Sequence, residues 1–299
     1  RGLLLLVILL PALVLGGAKG LGLAIPVPVW GRDYVQTFGL GGAEGLVELP
    51  PIYGPDDPSR PLVVIDAGHG GRDPGSVGPD ILEKEVVLAI ALQLRDLLVE
   101  GGGIRVALTR EDDRIVTLSE RPEIARRLGA DLFLSIHADS AGQRRDVSGA
   151  SIYTLSTEAS SEAAARFAQR ENEADRLNGV DIEGQSDLVS TILVELSQDR
   201  TQEDATEFSR LIQREGEGRI VFHPAARRRA ALAVLRAPDV PGVLFESGFV
   251  TNRADRARLT TREGRDEYAA VLARAIRVYF ARRAETGPPV DAGEDTPGA

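Results

Sequence analysis

The chain has 299 residues, a net charge of −10 and no cysteine. The missing cysteine excludes thiol nucleophiles, disulfides and cysteine-held metal centres. The acidic balance disfavours bare nucleic acid or an anionic membrane surface as a partner.

At the start, Arg1 precedes the apolar run Leu3–Leu15, which has signal-peptide length rather than that of a full membrane span. Small residues Gly16-Gly17-Ala18 follow, and apolar character resumes from Leu21 to Trp30. Residues 1–30 therefore read as a signal peptide or as an uncleaved membrane anchor, and both imply export. Pro11, Pro26 and Pro28 argue against a buried helix here. Residues 31–60, with Pro50-Pro51 and Gly54-Pro55-Asp56-Asp57-Pro58, read as a linker.

From Arg60 onward strands alternate with helices, the pattern of an α/β fold with an open twisted sheet flanked by helices on both faces. Strands are expected at Leu62–Asp66, Arg105–Leu108, Asp131–Ile136, Ala150–Leu155 and Val243–Phe245. The first breaks into a glycine-rich loop that carries His69. Open α/β sheets bind ligands just beyond the carboxyl ends of their strands. The third strand ends at His137, so two of the three histidines share one structural address. Imidazole is a common metal ligand; the alternative is a hydrogen-bonded histidine at a strand end.

The first helix carries Val87, Ile90, Leu94 and Leu97 at helical spacing and opens near Glu83. Asp80 and Glu83 also fit a capping box, so spacing alone leaves Glu83 as cap or ligand. Glu246 follows the last strand, as a proton-transferring carboxylate or an acid paired with an arginine.

Residues 156–222 hold two expected helices, Ser160–Leu177 and Glu203–Glu215, separated by Ile182–Ser197. His223, before Pro224, lacks a ligand partner at useful spacing and takes a surface or packing role. The last helix, Glu263–Arg283, places Tyr268, Val271, Leu272, Ala275 and Tyr279 on one side. Residues 284–299 are rich in Pro, Gly and acids, the composition of a disordered tail.

Five stretches in order resemble the zinc-dependent N-acetylmuramoyl-L-alanine amidases of bacterial cell-wall cleavage. They are Ile65–Gly75, Glu83–Leu88, Leu108-Thr109-Arg110, Ser135–Asp139 and Val243–Asn252, and the likeness spans about residues 61–282. The resemblance implies a catalytic domain over 61–283, Zn²⁺ held by His69, Glu83 and His137, and Glu246 as the catalytic carboxylate. Two imidazoles and one carboxylate leave a fourth tetrahedral position open, as in catalytic zinc sites.

Ala168–Asp175 is similar to the regulatory helix of periplasmic cell-separation amidases, in which an acidic side chain fills that position. Glu171 is the first choice for this autoinhibitory ligand, with Glu173 and Asp175 behind it. The plainer alternative is a solvated helix face. On this reading 156–222 is a regulatory helical insertion over the site. Arg110 and Arg121 match family positions and would support the site or substrate, or else form surface salt bridges. Arg227-Arg228-Arg229 could attract peptide carboxylates, although solvated surface is the simpler account.

The implied activity is hydrolysis of the amide between N-acetylmuramic acid and L-alanine in peptidoglycan. The implied setting is septal wall splitting in the periplasm, with an activator protein of the cell-division machinery as partner. The competing readings are a zinc peptidase acting on stem peptides and a non-catalytic wall-binding regulator.

Overall fold

The computed structural model describes residues 49–177 and 191–286. The expected leader, the linker up to residue 48, the stretch 178–190 and the tail from residue 287 lie outside the described residues.

The strands are β1 (Leu62–Ala67), β2 (Val77–Gly78), β3 (Ile81–Leu82), β4 (Arg105–Leu108), β5 (Leu132–Asp139), β6 (Ala150–Leu155), β7 (Phe222–Ala230) and β8 (Gly242–Phe249). The helices are α1 (Glu83–Gly101), α2 (Glu120–Arg127), α3 (Glu162–Asn172), α4 (Ala174–Leu177), α5 (Thr191–Gly216), α6 (Arg253–Thr260) and α7 (Arg262–Thr286). Six strands form one sheet in the order β4-β1-β5-β8-β6-β7, while β2 and β3 make a separate small hairpin. β4, β1, β5 and β8 run parallel; β6 is antiparallel to β8 and parallel to β7.

Helices cover both faces, which is why β1 is buried along its whole length and reads as an unbroken apolar run. On one face Val63 and Ile65 of β1 join Val87, Ile90 and Leu94 of α1, Phe208 and Ile212 of α5, and Leu272 and Tyr279 of α7. On the other, Val64, Phe133, Tyr153 and Leu244 meet Ile124 of α2 and Ala164 and Phe167 of α3. The second half of α5 is thus core material, although it falls within the stretch expected to be a regulatory insertion.

Several elements differ from the sequence expectation. β5 continues through His137 to Asp139, and β8 continues through Glu246 to Phe249, so both residues lie within strands rather than after them. The expected helix Ser160–Leu177 is broken at Glu173 into α3 and α4. The last helix runs to Thr286, beyond the expected start of the tail. Leu82, not Asp80, is the N-cap of α1, and it makes no side-chain cap; the capping box does not form. β7 is an edge strand that the sequence conceals behind Pro224 and three arginines. Proline and exposed charge are how an edge avoids pairing with other chains. Within the expected linker, Tyr53 exchanges backbone hydrogen bonds with Val106 of β4 at 2.7 and 2.9 Å.

Candidate active site and metal centre

The site forms where β1, β5 and β8 reach their carboxyl ends. Beyond β1 the chain turns sharply, and His69 takes the left-handed conformation with φ 60°. A non-glycine residue there is strained by about 1–3 kcal/mol and persists only where its surroundings hold it. What holds it is two buried arginines bound to loop carbonyls. Arg121 donates to the carbonyls of Ala67 and His69, both at 2.8 Å, and pairs with Asp66 at 2.7 Å. Arg110, fully buried, donates to the carbonyls of Ala67, Gly68 and Lys84 at 2.9, 2.8 and 2.8 Å. Burial, then the neighbouring Arg121, lowers the Arg110 pKa to about 10. These arginines are structural supports of the loop, not surface salt bridges.

Side chains converge inside this frame. His69 Nδ1 lies 2.7 Å from Asp73 Oδ2, whose other oxygen accepts from Gly75 N at 2.9 Å. This contact leaves His69 Nε2 facing inward, buried and, among the described residues, without a hydrogen-bond partner. Glu83 Oε1 stands 3.1 Å from His69 Nε2 and 3.1 Å from His137 Nδ1. Backbone amides fix that carboxylate: Ala138 N donates to Oε1 at 2.8 Å and Ser76 N to Oε2 at 2.7 Å. A side chain at Gly68 would overlap the His137 ring, and a Cβ at Gly75 would sit 2.7 Å from Glu83 Oε2. Both glycines are therefore required by close approach.

From the opposite side α3 delivers Glu171, whose Oε2 is 3.4 Å from His137 Nδ1 and 3.6 Å from His69 Nε2. Ligand atoms of His69, His137 and Glu171 all lie within 4.8 Å of one another. Around a tetrahedral ion with bonds near 2.0–2.1 Å, neighbouring ligand atoms stand roughly 3.3 Å apart. The carboxylate-to-imidazole separations of 3.1, 3.1, 3.4 and 3.6 Å are near that spacing, although the three groups that all lie within reach of one ion are His69, His137 and Glu171.

The charge balance agrees with a cation. Burial alone would lower the His69 pKa, yet Glu83, Asp73 and Glu171 outweigh it and raise it well above normal. Burial pushes Asp139 up to about 7, with Glu171 and Glu83 adding to it against Arg170. Burial, followed by Asp139, Glu83 and Glu171, holds Glu246 well above the ordinary carboxylate range. In the other direction, burial would raise the Glu83 pKa, but His69 and His137 outweigh it and hold Glu83 well below the ordinary carboxylate range. The pocket thus keeps an anionic Glu83 beside carboxyls that crowding makes harder to ionise.

Glu246 pairs in register with His137 on one side and Ser151 on the other. It is 1% exposed, and among the described residues neither of its oxygens has a hydrogen-bond partner. Such a carboxyl is free to exchange a proton with a reacting group.

The structure brings His69, Glu83, His137, Glu171 and Glu246 into one centre. Of the other acids considered for the helix, Asp175 instead accepts from Leu118 N at 2.9 Å. His223 is half-buried and is not one of these ligands; its Nδ1 accepts from Ala225 N at 3.0 Å and from Arg228 at 2.8 Å. Sequence reasoning missed Asp73; an acid four residues after a loop histidine was its only signal.

Residues 63–278 match the family described as N-acetylmuramoyl-L-alanine amidase. The chain is 35% identical over 242 residues to N-acetylmuramoyl-L-alanine amidase AmiC of Escherichia coli O6:H1, covering 78% of this chain and 58% of that protein. It is 37% identical over 221 residues to AmiA of Escherichia coli K12, covering 73% of this chain and 76% of that protein. Among solved structures, N-acetylmuramoyl-L-alanine amidase AmiC2 of Nostoc punctiforme superposes with a TM-score of 0.52 at 30% identity, covering 74% of this chain and 98% of that one. The chain spans a little over half the length of the first of these relatives and about three quarters of the second. With a match over most of its length, this chain belongs to the N-acetylmuramoyl-L-alanine amidase family.

Proposed function

We propose that the protein is a zinc amidase that hydrolyses the bond between the lactyl group of N-acetylmuramic acid and L-alanine in peptidoglycan. The observation that carries this reading is the convergence of His69, Glu83 and His137 beside a buried, unpartnered Glu246. His69 Nε2, His137 Nδ1 and a Glu83 oxygen would hold Zn²⁺. That ion would supply Lewis acidity to the scissile carbonyl and to the attacking water. Glu246 takes the proton of the water and delivers it to the departing nitrogen of L-alanine. Asp73 fixes the His69 tautomer by accepting from Nδ1–H, the usual partner of a metal-binding imidazole.

The same reading makes this state an inhibited one, because Glu171 occupies the position that substrate and water need. Five further contacts support the docking of α3 and the adjoining α4. Arg170 pairs with Asp139 at 2.5 Å, and Asn172 bonds Ala231 O and Ala233 N at 2.8 Å each. Asp175 accepts from Leu118 N at 2.9 Å, and Phe167 stacks on Tyr153 with centroids 4.5 Å apart. An activator would act by favouring the displaced helix. Export and a role in septal splitting complete the reading; they rest on the apolar run Leu3–Leu15 and on the resemblance.

The test is digestion of purified sacculi with identification of the released fragments. Intact stem peptides with a free L-alanine amino group are expected, and Glu246→Gln abolishes their release. Cleavage within the stem would make the enzyme a peptidase instead.

A further inference from the structure

The groove that reaches the metal ligands also has a basic wall. It has a volume of about 1210 Å³, and its lining includes His69, Glu171 and Asp139 together with Arg144, His223 and Arg228. Among the described residues no carboxylate pairs with Arg144 or Arg228, whereas the groove arginines Arg166 and Arg170 have the acids Glu162 and Asp139.

Arg228 is held in place. Its Nε donates to Ala225 O at 3.0 Å, its Nη1 to Tyr153 Oη at 3.0 Å, and its Nη2 to His223 Nδ1 at 2.8 Å. The guanidinium also lies 5.8 Å from the centre of the Tyr153 ring. Because Nδ1 of His223 accepts from both Arg228 and Ala225 N, the proton of that imidazole is on Nε2. Burial, then Arg228 and Arg144, lowers the His223 pKa, so the ring is neutral and a fixed donor.

A bulge produces this arrangement. The two-residue step Ala150–Ile152 on β6 faces the five-residue step Phe222–Arg227 on β7, so three extra residues are pushed out of the ladder. His223, Pro224 and Ala225 fall in that bulge. Bulges beside active sites re-aim side chains, and here one brings His223 against Arg228 on the groove wall.

We propose that Arg228 and His223 form a carboxylate subsite that receives a free carboxylate of the stem peptide on the leaving-group side of the scissile amide. The idea rests on the amidase reading. Reach supports it: Tyr153 is two residues along β6 from Ser151, the partner of Glu246, and Arg228 is opposite Tyr153 on β7. Two strand spacings across and two residues along put the Arg228 backbone about 12 Å from that of Glu246. Three extended residues span about 10–11 Å, so a carboxylate two or three residues beyond the cut bond reaches the guanidinium. Tyr153 lies between the two groups, hydrogen-bonded to Arg228 and within the field of Glu246 and Asp139.

The test uses the full chain and two probes: a stem tetrapeptide with free carboxylates, and the same peptide with those carboxylates amidated. Titration calorimetry measures binding of both; hydrolysis of the corresponding muramyl peptides gives kcat and KM. Amidation and Arg228→Gln are each expected to weaken binding and raise KM about tenfold, the scale of one charge-assisted hydrogen bond. Together they cost no more than either alone, and kcat changes less than about twofold. His223→Ala, which leaves the guanidinium in place, shows the same loss of discrimination in smaller measure and serves if Arg228→Gln does not fold. Arg229→Gln, outside the groove lining, keeps the wild-type preference. Equal binding of the two peptides by wild type, or an unchanged preference in Arg228→Gln, overturns the subsite, as does no binding of either. If wild type binds the free peptide selectively but neither it nor Glu171→Gln, in which the block is weakened, cuts a muramyl amide, the amidase reading fails and the subsite stands.

Discussion

Releasing α3 without touching the metal ligands should switch the enzyme on, and Asn172→Ala is the cleanest way to do it. The Asn172 side chain bridges Ala231 O and Ala233 N, with both bonds at 2.8 Å. Each such bond contributes about 1 kcal/mol, so their loss shifts the closed-to-open ratio by about 2 kcal/mol, or roughly thirtyfold. Arg170→Ala removes the pair with Asp139, but the arginine is 52% exposed and its contribution is held to about 1 kcal/mol or less. Glu171→Gln keeps the shape of the blocking group and removes its charge; the loss of a charge-assisted contact at about 1.5–3 kcal/mol predicts a rise of ten- to a hundredfold. Each basal rate would be read as dye released from labelled sacculi, with zinc content and circular dichroism recorded on the same samples. The rise is capped where the helix becomes mostly open, so combining Asn172→Ala with Glu171→Gln gives less than the product of the two. If both single variants stay within twofold of wild type with zinc and fold unchanged, Glu171 does not gate the site.

Three other perturbations probe the frame and the metal. Arg121→Met strands the buried Asp66 carboxylate and is expected to cost about 3–5 kcal/mol in urea unfolding, with partial recovery in the Asp66→Asn double variant; equal stability of Arg121→Met and wild type would contradict the support role. Burial raises the Asp66 pKa, but Arg121 and the Thr109 and Ser135 hydroxyls outweigh it, and the net shift is downward. Its contribution is therefore full above the ordinary value of 3.8 and lost as pH falls through the lowered folded value; in Arg121→Met the acid limb of the stability curve moves up. Chelation should lower Tm by about 5–10 °C if zinc is held at a hundred times its Kd, and no Tm change together with no zinc in the purified protein would remove the metal from the reading. Gly75→Ala, at φ 66° and against Glu83 Oε2, is expected to lower zinc affinity measured by competition with a chelating dye more than it lowers Tm.

What the sequence disclosed, and what it hid, follows from where the chemistry sits in the fold. His69 and His137 are legible because apolar runs lead straight to them, and a histidine there contributes little to packing. Their strands read too short in sequence because the site residues continue the ladder: His137 and Glu246 are register partners. Polarity mimics a strand end where it marks only the change from core to site. Glu83 is ambiguous because an acid in the first turn satisfies a helix whether or not it meets a histidine. The loop decides it, by folding back to place Ser76 N on the carboxylate. β7 is illegible because the arginines and Pro224 that protect an edge also erase its alternation. Arg110 and Arg121 point inward only through the resemblance, since their partners are mostly backbone carbonyls, which carry no sequence signal.

One electrostatic fact links the proposed chemistry to the proposed gate. The pocket gathers Glu83, Asp139, Glu171 and Glu246 around two imidazoles, with Arg170 paired to Asp139, and the crowding of carboxylates adds to burial in raising the pKa values of Asp139 and Glu246. A divalent ion would relieve that crowding and add to the attraction that the imidazoles already exert on Glu171, which lies 3.4 and 3.6 Å from them and helps raise the His69 pKa. The block therefore strengthens with the metal and weakens without it. Metal removal should loosen α3 as well as stop catalysis, with faster hydrogen exchange at 162–172 after chelation than before. Were exchange there unchanged while zinc was fully stripped, α3 would be held by its Phe167, Arg170 and Asn172 contacts and by Asp175 of the adjoining α4, and Glu171 would be a passenger on it rather than the ligand that closes the site.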